Sequence, residues 1–141
     1  MATISLVVQV VILILLLGSY WLERMKKFRQ HGIAMLVAVI LHIIVILWVM
    51  LPSFLLGVIP LILENSSALV TMVAPLHGIM GIIAAVLGVW IVATWRLRAS
   101  LQYCGRGKYK KKLMLFTLII WLIALFLGIL LYLHFYTAIL P

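Results

Sequence analysis

Every lysine and arginine in this 141-residue chain, eleven in all, falls in one of two short segments, and neither segment lies inside a hydrophobic run. Arg24, Lys26, Lys27 and Arg29 form the first; Arg96, Arg98, Arg106, Lys108, Lys110, Lys111 and Lys112 form the second. Around them lie four apolar blocks, about residues 4–22, 33–51, 69–95 and 113–140. Each is close to, or longer than, the ~20 residues a helix needs to cross ~30 Å of hydrocarbon. The pattern predicts an all-α polytopic membrane protein: one domain over residues 1–141, folded as an antiparallel bundle of four transmembrane helices.

Composition leaves little room for another class. The chain is 68% apolar and 9% charged, with a mean hydropathy of +1.38, and a soluble fold of this size has too little interior to hide so much apolar surface. A lipid-exposed backbone must satisfy its own hydrogen bonds, so the blocks are expected to be helices. A closed barrel would need alternating polarity, which the runs lack. The formal net charge of +9 flanks the apolar blocks instead of forming a stripe along one face, which argues against nucleic acid as a partner. Membrane lipids are the expected partners, with anionic headgroups near Lys108–Lys112.

The positive-inside rule puts both basic segments in the cytoplasm and both termini outside. The loop between the second and third blocks carries Glu64 and neither Lys nor Arg, in agreement with an exterior position. No basic residue precedes the first block and no small-residue cleavage site follows it, so it reads as a span and not as a signal peptide. Pro52 is expected to end the second span, leaving Ser53–Leu63, with Gly57 and Pro60, as an interfacial or re-entrant segment. Asn65-Ser66-Ser67 matches a glycosylation sequon on the exterior side. Cys104, the single cysteine, has no second thiol to pair with and no CxxC around it.

Catalytic motifs are absent: there is no Walker motif, no GxGxxG and no HExxH, and the two carboxylates, Glu23 and Glu64, sit at span edges. Without an Asp or Glu inside a span, a carboxylate-based pump is disfavoured. No enzymatic activity is expected. The chemistry rests on four histidines: His31, His42, His77 and His134. An imidazole within a span is costly and marks function by default. His31 lies at the mouth of the second span, and His42 is about 16 Å deeper on the same face, three turns on. His77 and His134 both fall in the outer halves of their spans and are expected at similar depth. Two imidazoles facing across a bundle can ligate a b-type haem or a metal. Gly81, Ala84 and Gly88 follow His77 along one face, which suits either a flat cofactor or close helix packing. Met35 stands near His42 as a possible soft ligand or as plain filling. The bland alternatives are a headgroup position for His31, a carbonyl contact on another helix for His42, and an aromatic belt with Tyr132, Phe135 and Tyr136 for His134.

Three stretches carry a family likeness. His31-Gly-Ile-Ala-Met35-Leu-Val-Ala38 resembles the start of the second span of small bacterial membrane proteins of the CtaM or YozB type. His77-Gly-Ile-Met-Gly-Ile-Ile-Ala-Ala-Val-Leu-Gly88 is similar to their third span, and Trp121 to Tyr132, with Gly128 between, to their last. The resemblance implies a prokaryotic plasma-membrane protein that assists maturation of haem–copper oxidases in the respiratory chain, with His31 and His77 as its metal-handling residues. The partner would then be a terminal oxidase or another respiratory membrane complex, and the cofactor haem b or copper. Two alternatives stay open: a small b-type cytochrome with His77 and His134, or His42, as axial ligands, and a cofactor-free accessory subunit of a larger membrane complex.

Overall fold

The computed structural model describes residues 2–63, 68–96 and 108–136. They form a helical bundle, with no strand among the described residues. Helix α1 (Ala2–Arg24) is followed by α2 (Phe28–Val45). A π turn at Ile46–Met50, the short α3 (Leu51–Ser53), a second π turn at Phe54–Val58 and α4 (Ile59–Leu63) carry α2 onward. Helices α5 (Ala68–Arg96) and α6 (Lys108–Tyr136) complete the fold. Four helical stretches are long and apolar enough to cross a membrane: Thr3–Arg24, Phe28–Val58, Val70–Thr94 and Lys111–Tyr136. The chain is a multi-pass, all-α membrane protein.

Helices α1 and α2 pack as one hairpin and α5 and α6 as another, with α2 against α5 and α1 against α6 closing the ring. Chain order is therefore the order around the bundle. The turn between α1 and α2 takes three residues. Lys27 N–H donates to the Leu22 carbonyl and Lys26 N–H to that of Glu23, both at 3.0 Å, and Lys26 adopts a left-handed φ of 59°. This is a Schellman stop, a position that glycine usually fills. At the same end, Lys111 Nζ of α6 lies 3.2 Å from Glu23 Oε1 of α1, which brings the two basic segments together.

Small residues recur in the interior, and many large apolar ones face outward. Ala38, Ala74, Ala84 and Ala124 are buried, whereas Trp48, Leu56 and Phe126 face outward. Lipid tails give no hydrophobic reason to bury a leucine, so close van der Waals contact between backbones decides which residues go inside. One central cluster takes a member from each long helix: Ile12, Ala38 and Ala84, with Ile120 and Trp121 from α6.

Two sequence expectations change. The second helix, expected from about residue 33, begins at Phe28, so Arg29, Gln30 and His31 lie in its first turn. Pro52 does not end the second span; the helix runs through it to Leu63, so Ser53–Leu63 continues that helix. Proline lacks a donor and crowds the carbonyl four residues back. The widened ladder absorbs this, with Leu51 N–H bonding the Ile46 carbonyl and Ile59 N–H that of Phe54. Local π adjustment is a known way for a membrane helix to keep a proline. Glu64, Asn65 with its sequon, Cys104 and residues 137–140 of the last expected span lie outside the described residues.

Candidate functional site

Three of the four histidines sit along the interior of the bundle, and each is held by a different set of hydrogen-bond partners. His77, on α5, places Nδ1 2.7 Å from the Ala124 carbonyl of α6. A carbonyl can only accept, so Nδ1 carries the proton and Nε2 keeps a lone pair. Gly128 makes the seat: a Cβ there would stand 2.8 Å from His77 Cε1 and 3.3 Å from Nδ1. Only a residue without a side chain lets the ring lie against α6.

His42, on α2, is engaged at both nitrogens. Trp121 Nε1–H, which can only donate, points at Nδ1 from 3.4 Å, and Gln9 Nε2 approaches the same atom at 3.5 Å. The proton must then sit on Nε2, which faces the Gly81 carbonyl at 3.4 Å. The carbonyl contact expected for His42 is thus present, and its ring meets the Trp121 indole edge-on at 6.2 Å.

His31 is buried, at 3% exposure. Its Nδ1 lies 2.8 Å from the Ser19 carbonyl and 2.7 Å from Ser19 Oγ, while that hydroxyl donates to the His31 carbonyl at 3.2 Å. By the same argument Nδ1 carries the proton. Nε2 is buried without a hydrogen-bond partner among the described residues. His134 lies on α6 edge-on to Phe135 at 5.4 Å, and the same stretch of helix carries a Tyr132–Tyr136 stack at 5.0 Å.

Two cavities follow from this arrangement. The one away from the basic segments has a volume of about 460 Å³ and is lined by His42, His77, Gln9 and Gly128, together with residues of both π turns. The one at the basic end, about 600 Å³, is lined by His31, Met35, Arg24, Lys26 and Lys111, and also by His42. His42 and Trp121 line both, so their contact is the partition.

These positions sort the expected ligand pairs. His42 and His77 share a cavity. His77 and His134 do not meet: His77 touches α6 at Ala124 and Gly128, and His134 lies six residues beyond Gly128, about 9 Å further along the helix. His31 and His77 do not share a cavity either. They are separated by the three turns from His31 to His42 and the one turn from Gly81 to His77, about 20 Å of bundle length, too far for one ion. Among the described residues no group of three His, Cys, Asp or Glu side chains could hold a metal ion.

The small-residue face after His77 divides between helix packing and cavity wall. A Cβ on Gly88 would stand 3.0 Å from Val39 Cγ2, so Gly88 sets the approach of α2 to α5. A Cβ on Gly81 would meet nothing within 4 Å, and Gly81 lines the cavity away from the basic end. Sequence reading missed Ser19, Gln9 and the Ala124 carbonyl as partners of the histidines. The signal for α6 was present as Trp121, Ala124 and Gly128, spaced by three and four residues on one face. In comparisons with protein-family models, curated proteins and solved structures, nothing matches this chain.

Proposed function

We propose that the protein is a haem-handling factor of a prokaryotic plasma membrane, serving maturation of a terminal oxidase, with its basic end in the cytoplasm. The observation that carries the reading is the state of His77: Nδ1 is fixed by the Ala124 carbonyl, which leaves Nε2 with a lone pair, and the residue lines a cavity of about 460 Å³. Metal-ligating histidines are characteristically oriented in this way, by a carbonyl on the other nitrogen. The volume falls within the roughly 300–1,000 Å³ of cofactor and small-molecule sites. A porphyrin brings its own four nitrogens and asks the protein for an axial donor and an apolar slot. One axial imidazole, with His42 held by Trp121, Gln9 and Gly81, suits a carrier better than an electron-transfer centre with two. The link to an oxidase rests on the resemblance of the three histidine- and tryptophan-bearing stretches.

The location of His42 in the same cavity supports a second reading, a b-type cytochrome in which His42 turns from Trp121 to become the other axial ligand. Absorption spectra of the purified protein, reconstituted with haem in lipid, separate the two. A carrier is expected to show a five-coordinate, high-spin spectrum that His77→Ala abolishes and His42→Ala retains. A low-spin spectrum lost in both variants would establish the cytochrome instead. Absence of haem binding, with copper bound in equal amount to protein, would move the reading to copper. Absence of both would leave the accessory-subunit reading.

A further inference from the structure

The basic-end cavity has a chemistry of its own, independent of the His77 reading. We propose that it binds one acidic phospholipid with a hydroxylated headgroup, drawn from the leaflet at that end. Three features of the cavity meet three parts of such a molecule.

The rim is cationic: Arg24, Lys26 and Lys111 line it, together with Glu23. Glu23 is paired with Lys111 at 3.2 Å, so Arg24 and Lys26 supply the uncompensated charge for a phosphate. Arg24 is already oriented, its Nη2 donating to Tyr20 Oη at 2.8 Å. Basic pockets between membrane helices select anionic headgroups in this manner. The walls below the rim are apolar and run from there to the Trp121 partition, which suits an acyl chain.

The third feature is His31. It is 97% shielded, given its 3% exposure, and its Nε2 has no partner. Because Nδ1 holds the proton against the Ser19 carbonyl, Nε2 is an acceptor in need of a donor. An orphaned buried acceptor is costly, and it calls for an occupant that brings a hydroxyl. A choline headgroup has none, and its positive charge opposes the rim. A glycerol headgroup supplies both the anion and the hydroxyls.

The test uses the full-length protein in nanodiscs of phosphatidylcholine doped with phosphatidylglycerol, with retained lipid counted by native mass spectrometry. One phosphatidylglycerol is expected to stay bound per chain, and Arg24→Gln with Lys26→Gln, both at the surface, should weaken retention at least about tenfold. Phosphatidylmethanol has the same charge and no hydroxyl, and should be retained about fivefold less well than phosphatidylglycerol. His31→Asn keeps an amide donor for Ser19 but removes the second nitrogen, and should erase that preference. Equal retention of phosphatidylcholine overturns the proposal, as does an unaltered double variant. Equal retention of phosphatidylmethanol removes His31 from the site. Saturation by soluble glycerol phosphate alone would assign a headgroup site and not a lipid site. None of these readouts uses haem, so they stand or fall apart from the His77 cavity.

Discussion

At the scale of single residues, the histidines differ by what their Nδ1 atoms touch. His31 and His77 each donate Nδ1–H to a carbonyl and keep Nε2 as an acceptor, whereas His42 accepts at Nδ1 from an indole and spends its proton on Gly81. A donor-only tryptophan therefore decides on which nitrogen His42 carries its proton. Gly128 is the residue whose change is most informative. Its missing Cβ leaves room for the His77 ring, and the ring is held by the backbone of the same helix, so neither side can yield cheaply. Gly128→Ala is expected to displace His77, abolish ligand binding there, and destabilise the bundle by about 1–3 kcal/mol as an overpacked contact. Thermal unfolding in detergent and the ligand titration check it together.

At the scale of helices, α2 and its extension show how a membrane span accommodates proline. The two π turns flank Pro52 and line the cavity that holds His77, so the irregular backbone sits where a cavity wall is needed. Local π turns recur at functional sites for this reason. The α1–α2 turn carries a separate cost, since Lys26 holds a conformation that costs a side-chain-bearing residue about 1 kcal/mol. Lys26→Gly is expected to raise stability by about that amount, visible as a higher unfolding midpoint in phosphatidylcholine alone. Between helices, Gly88 governs the distance from α2 to α5 through its contact with Val39. Gly88→Val should separate the pair and lower stability by about 1–3 kcal/mol, and a Val39→Ala second change should recover part of the loss.

At the scale of the molecule, all described cations lie toward one end and the aromatic Tyr132–Tyr136 cluster toward the other. That asymmetry predicts orientation through the positive-inside rule. With Cys104 replaced by serine, a cysteine at Met25 should react with a membrane-impermeant thiol reagent only from the cytoplasmic side. One at Leu63 should react only from outside. The reverse pattern would invert the topology and with it the leaflet that supplies the proposed lipid. The ring of neighbours, α1 to α2 to α5 to α6, gives the bundle its two cavities and the His42–Trp121 layer between them.

The number of spans, their helical nature and the clustering of charge at one end were legible in the chain, because solvation in lipid is a local property of ~20-residue windows. His31 and His42 on one face of α2 were legible too, since eleven residues make three turns. The start of α2 at Phe28 and its passage through Pro52 were not, because π turns and a proline-compatible ladder depend on how neighbouring carbonyls are met. Nor could spacing tell that His77 would meet Gly128 and not His134: that depends on the relative shift and rotation of α5 and α6, which interior packing fixes. Local composition set what crosses the bilayer. Contacts between distant helices decided which imidazole nitrogen is left without a proton, and into which cavity it opens.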